Sequence, residues 1–157
     1  MNRYFDIALN LASERFSGER DKVIADALTR NVNYFNIVCS SLNELDLVKN
    51  LNDRYRQNSC FTLGVHPHNA NELNGNTLKS LKDSIKIHQP SAVGETGLDF
   101  FRNLSSYENQ INAFEQQIII SIENNLPLFL HQREAHDDFI KVIDKYIFDI
   151  PRGVVHC

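Results

Sequence analysis

The sequence predicts an α/β protein built on a parallel sheet, and two observations carry that reading. Six short apolar runs recur along the chain, with helical patterns of apolar residues between them. The runs are nearly continuous rather than alternating, as expected of strands covered on both faces. Spacing alone leaves open whether the sheet is doubly wound or part of a barrel.

The first strand is predicted over Tyr4–Leu9, and Val23, Ile24, Ala27 and Leu28 mark one face of the helix after it. Tyr34–Cys39 is the second strand. Ser41 and Glu44 then read as a capping box ahead of Leu45, Val48 and Leu51 at helical spacing. Phe61–Val65 is the third strand, and a loop rich in Asn and Gly (69–76) leads to a helix with Leu78, Leu81 and Ile85 on one side. A short fourth strand is expected over Ser91–Glu95. Ser105 and Glu108 supply a second capping box before Ile111, Phe114, Ile118 and Ile122. Pro127–His131 is the fifth strand, opened by a proline whose missing N–H is tolerated at the end of a ladder. Phe139, Val142, Ile143 and Tyr146 mark the last helix, and Gly153–His156 is the sixth strand. No linker or low-complexity tract interrupts this alternation, so 1–157 reads as a single domain.

Composition agrees: 157 residues, 42% hydrophobic and 23% charged, suffice for one domain with a core. No apolar run approaches the roughly 20 residues needed to cross a bilayer, and the Met1–Asp6 stretch lacks the apolar segment of a signal peptide. A cytoplasmic location is the expectation. Cys39, Cys60 and Cys157 are odd in number and show no CxxC spacing, against a disulfide framework or a structural zinc site. Net charge is −4 with no Lys/Arg run, so bulk electrostatics give no sign of a nucleic-acid binder.

Function in parallel α/β folds gathers at the carboxyl ends of strands, and four successive strands here end in reactive groups. The third ends in Gly64-Val65-His66-Pro67-His68 and the fourth in Gly94-Glu95-Thr96-Gly97-Leu98-Asp99. The fifth ends at His131 and the sixth at His156. Neighbouring strands lie roughly 4.8 Å apart, so Glu95, His131 and His156 can converge on one ion. One carboxylate and two imidazoles suit magnesium, manganese or zinc, and ligand type does not choose among them. Any one of these residues alone reads as a structural histidine or a salt-bridged carboxylate. Recurrence at the same place on adjacent strands favours a site. Gly94 and Gly97 read as turn glycines needing positive φ, His88 as a solvated helix-end histidine, and His136 as a first-turn residue with a local polar contact. Arg102 and Arg133 fit either surface ion pairs or phosphate contacts through a planar fork of donors.

At these motifs the chain resembles the TatD family of metal-dependent deoxyribonucleases. The matching stretches are Phe5-Asp6-Ile7 with Asn10, GVHPH (64–68), AVGETGLDF (92–100), the Gln110…Phe114…Gln117 helix, LPLFLHQREAH (126–136) and GVVHC (153–157). The resemblance implies a (β/α)8 TIM-type barrel of the metal-dependent hydrolase superfamily, with about six strands and five helices present. It implies Glu95, His131 and His156 as metal ligands, with Glu95 catalytic through the metal. The expected cofactor is a divalent metal, Mg2+ first, with Mn2+ or Zn2+ as alternatives. DNA is the expected substrate, cleaved at phosphodiester bonds from a 3′ end, and His66, His68 and Arg133 are the expected substrate-binding residues.

Two departures from the family pattern stand out. Ala8 and Asn10 occupy the positions of the His-x-His that many relatives carry on the first strand. The family also continues through two more βα units with a strand-end Asp, a ligand and general base, so a C-terminally truncated chain is expected here. The alternative reading is a catalytically inactive truncated gene product that retains the motifs. An independent doubly wound binding domain ranks below both, because no GxGxxG or P-loop pattern appears.

Overall fold

The computed structural model describes residues 3–156. Cys157, the last residue of the GVVHC stretch, lies outside the described residues, as do Met1 and Asn2. Six strands form one sheet: β1 (Tyr4–Leu9), β2 (Val32–Cys39), β3 (Ser59–Leu63), β4 (Ala92–Asp99), β5 (Leu128–Arg133) and β6 (Gly153–His156). Between them run α1 (Arg20–Thr29), α2 (Leu45–Arg54), α3 (Gly75–His88), α4 (Tyr107–Asn124) and α5 (His136–Asp144). All five strand pairs are parallel and their spatial order follows the chain, β1 to β6.

That order decides the winding. A doubly wound sheet reverses its strand order at a switch point, and this one does not. Successive right-handed crossovers in one direction put every helix on the same face of the sheet, which is the arrangement of a barrel wall. The fold is an incomplete TIM-type barrel.

The main core lies between helices and sheet. Phe35, Ile37, Leu63, Val93, Leu98, Leu128 and Leu130 meet Ile24, Val48, Leu51, Leu81, Ile85, Phe114 and Ile118, all buried. The opposite, inner face carries a smaller cluster of Val38, Ala92 and Phe129. Towards the sheet's two outer strands this inner face opens, leaving Phe5, Ile7 and Val154 exposed around a cavity of about 450 Å³ near the strands' amino ends.

Several local expectations change. β4 is eight residues long rather than five, running on from Glu95 to Asp99, because its outward Thr96 and Leu98 are covered by α4 and the core. β3 ends at Leu63, two residues before the expected Val65, where a glutamine from α4 replaces the strand partner. Part of the expected loop at 69–76 is a 3-10 helix, Pro67–Glu72. Neither capping box forms as read. Ser41 makes no cap bond, and Glu44 instead accepts from the Ser40 N–H at 3.0 Å. The cap of α4 is Ser106, which accepts from Asn109 N–H, while Ser105 donates to the His68 carbonyl at 2.9 Å.

Candidate metal centre

The site is assembled at the carboxyl end of the sheet, and β4 aims its central carboxylate. Val93 pairs with Leu128 and Thr96 with Leu130, so three steps on β4 oppose two on β5. One extra residue is therefore inserted, as in a β-bulge. Val93 packs in the helix-facing core, yet Glu95, two residues on, faces the inner side beside the histidines. Strict alternation would have put Val93 and Glu95 on one face. The bulge re-aims the side chain.

Gly94 and Gly97 permit β4 to lie this close to β5. Their φ angles are +140° and +139°, and a Cβ would fall 2.1 Å from the Phe129 carbonyl oxygen at Gly94 and 2.0 Å from that of His131 at Gly97. Positive φ was expected of both. They sit within a strand rather than a turn, and close backbone approach is a second reason for glycine.

Around Glu95 the three histidines gather. His131 Nδ1 lies 3.0 Å from Glu95 Oε1, His156 Nε2 3.1 Å from it and His66 Nε2 3.5 Å. Ligand atoms of His66, Glu95 and His131 all fall within 4.8 Å of one another. Of the three ligands expected on sequence grounds, His131 and His156 each approach Glu95 Oε1, while the mutually close trio holds His66 in place of His156. Burial pushes the Glu95 carboxyl up, but His131, His156 and His66 more than offset it and hold the group well below the usual carboxylate range. Burial would likewise push His131 down, and the Glu95 and Asp99 carboxylates outweigh it, raising its imidazole above the ordinary value.

Two nitrogens differ in what they can do. His66 Nδ1 accepts the His68 backbone N–H at 3.1 Å, so a neutral His66 carries its proton on Nε2 and presents a donor. A metal needs a lone pair, and His66 is therefore better placed to contact substrate than to ligate. His156 Nε2 is buried and, for all its nearness to Glu95, makes no hydrogen bond among the described residues. Buried polar atoms are almost always satisfied. An unpaired nitrogen aimed at a carboxylate oxygen fits a cation between them, and a carboxylate with imidazoles is a donor set for divalent ions.

His68 Nε2 lies 2.7 Å from Asp99 Oδ2, and His131 Nε2 lies 3.3 Å from the same oxygen. Asp99 was given no role from sequence. The expected fourth strand stopped at Glu95, short of it, whereas the longer β4 places Glu95, Gly97 and Asp99 on one face. Arg133 ends β5 with its guanidinium carbon 3.8 Å from the Phe101 ring centroid, a cation–π contact. Arg102 N–H caps Asp99 Oδ1 at 2.8 Å. His88 ends α3, and His136 opens α5 beside a cleft that also borders His156.

A one-way parallel sheet with a carboxylate and imidazoles at its carboxyl end defines a barrel-type α/β protein with a candidate divalent-metal site. The chain belongs to the TatD related DNase family, whose pattern matches residues 5–157. It is 37% identical over 153 residues to a 3′-5′ ssDNA/RNA exonuclease TatD from Pantoea ananatis, covering 98% of this chain and 59% of that protein. The Escherichia coli K12 protein of the same name is 36% identical over 154 residues, covering 98% and 58%. Among solved structures, the TatD homologue YJJV from Escherichia coli superposes with a TM-score of 0.89 at 26% identity, covering 98% of this chain and 60% of that one. A hydrolase TatD family protein from Entamoeba histolytica gives 0.88, also at 26% identity, covering 99% and 58%. The chain thus spans a little under three-fifths of the curated relatives' length. No helix among the described residues is long and apolar enough to cross a membrane.

Proposed function

We propose that this chain carries the metal-binding part of a nuclease active site that hydrolyses nucleic-acid phosphodiester bonds from a 3′ end, with DNA as substrate. Glu95, His131 and His156 hold one divalent ion, Mg2+ in the first instance and Mn2+ or Zn2+ as alternatives. The observation that carries the reading is the buried His156 Nε2, which faces Glu95 Oε1 and makes no hydrogen bond among the described residues. When bound, such an ion supplies Lewis acidity: it lowers the pKa of water and neutralises charge developing on phosphoryl oxygens.

The chain's own residues do the rest. His66 offers an Nε2–H donor at the inner side of the site, and His68 is anchored beside it by Asp99. Arg133, over the Phe101 ring, presents a guanidinium whose N–H groups suit a phosphate. The names borne by the relatives in Pantoea ananatis and Escherichia coli support a single-stranded substrate. The cysteine usage supports a cytoplasmic setting.

Calorimetric titration of the purified chain with Mn2+ and Mg2+ tests the centre. Wild type is expected to bind one ion, and Glu95→Ala to abolish binding, since it removes the only carboxylate of the set. Unchanged affinity in Glu95→Ala rejects the site. A 3′-end-labelled single strand, incubated with and without EDTA, then tests turnover. EDTA-sensitive shortening supports the nuclease. Metal binding without cleavage supports the alternative, a motif-bearing chain that does not turn over.

A further inference from the structure

The proposed centre uses one carboxylate, and a second is buried beside it. Asp99 is 1% exposed, and each of its polar atoms has a defined partner. Oδ1 accepts the Arg102 N–H at 2.8 Å, while Oδ2 lies 2.7 Å from His68 Nε2 and 3.3 Å from His131 Nε2. Its backbone is clamped as well. Gln110 on α4, itself buried, accepts the Asp99 N–H at 2.9 Å through Oε1 and donates through Nε2 to the carbonyls of Asp99 and Ser105, at 3.3 and 2.9 Å.

We propose that Asp99 is a positioning residue: its Oδ2 accepts from Nε2–H of both His68 and His131, and so sets which nitrogen each ring turns toward the site. The inference rests on the metal centre proposed above and deepens it. An ionised carboxylate only accepts, so every ring nitrogen bonded to it carries a proton. A neutral imidazole has one N–H. With that proton on Nε2, the lone pair of His131 is on Nδ1, the atom 3.0 Å from Glu95 Oε1. A cation between these two acceptors, or a second proton on the ring, satisfies both.

The same oxygen ties two elements together. His68 follows the end of β3, and its backbone N–H fixes His66 Nδ1. His131 belongs to β5. Through Asp99, the loop that offers the His66 donor and the strand that offers a metal ligand are held in one register. Carboxylates in this position behind a ligating histidine orient the ring, and their loss costs roughly 10–100-fold in metal affinity.

Long-range proton–nitrogen NMR of the wild-type chain at alkaline pH reads the ring protonation directly and needs no metal. Protonated Nε2 on both His68 and His131 is expected, and an unprotonated Nε2 on either ring overturns the proposal. Asp99→Asn, which keeps the shape, is expected to lower Mn2+ affinity roughly 10–100-fold and to shift the His131 nitrogen resonances, with far-ultraviolet dichroism unchanged. Wild-type affinity in Asp99→Asn likewise overturns it. Should that variant fold poorly, the wild-type spectrum decides alone. Should wild type bind no metal yet show both Nε2 protons, the metal reading fails while the orientation by Asp99 stands.

Discussion

At the scale of single residues, burial sorts the chain's chemistry as firmly as proximity does. Cys39 ends β2 fully buried, and its thiol donates to the Ser41 carbonyl at 3.2 Å. Burial first and the Glu44 carboxylate second push that thiol up to about 12 from an ordinary 9.0. Only the thiolate is a nucleophile, so Cys39 is inert at neutral pH. Above pH 9 the unfolded chain releases this proton while the folded chain keeps it, so the folded state binds more protons and stability falls between pH 9 and about 12. We predict that a thiol reagent labels the partly exposed Cys60 in native protein and reaches Cys39 only in denaturant, as read by mass spectrometry of the peptides. Cys39→Ala should lose part of the alkaline decline in melting temperature. Native-state labelling of Cys39 at the rate of Cys60 refutes its inertness.

At the scale of elements, the decisive device is a helix that stands in for a strand. β3 and β4 pair only through Thr62–Ala92 and Leu63–Val93, and beyond that point their backbones part. Gln117 of α4 fills the gap. Its Oε1 accepts the Val65 N–H at 2.7 Å, and its Nε2 donates to the Val65 carbonyl at 2.9 Å and to Thr96 Oγ1 at 2.7 Å. Replacing it with Leu keeps the volume and strands two buried backbone groups, at about 1–3 kcal/mol each. We predict that Gln117→Leu lowers stability by roughly 3 kcal/mol in urea titration, and a loss below about 1 kcal/mol means that water can take the glutamine's place. Gln110 and Gln117 were legible as a family-like pattern on an otherwise apolar helix. Their bonds were not, because they depend on strands diverging, and strand divergence leaves no periodic trace. Glu95, His131 and His156 were legible because they recur at strand ends. Asp99 was not, because the bulge in β4 hides which residues of a strand share a face. Arg133 was read as a possible phosphate contact, while its stacking on Phe101 joins the end of β5 to the turn after β4, which sequence spacing cannot relate.

At the scale of the molecule, apolar runs announced all six strands, but the winding came from their spatial order, which local pattern does not encode. Among the described residues that order leaves β1 paired only with β2, and β6 only with β5. Between these edges the inner face shows Phe5 and Ile7 on one side and Val154 on the other, around the cavity lined also by Phe129 and Ala92. None of the clustered acids or histidines borders that cavity, which lies at the end of the sheet away from the chemistry. Open strand edges beside apolar surface are templates for association. The polypeptide of residues 1–157 prepared alone should therefore bind a hydrophobic dye and sediment as larger species with rising concentration. Val154→Lys places a charge on the inner face of an edge strand, the means by which natural edges resist pairing, and should shift sedimentation back toward the monomer without changing metal affinity. Dye-free, monomeric, cooperatively melting wild-type protein over a wide concentration range contradicts this expectation, and shows that the inner face is quiet in water despite its composition.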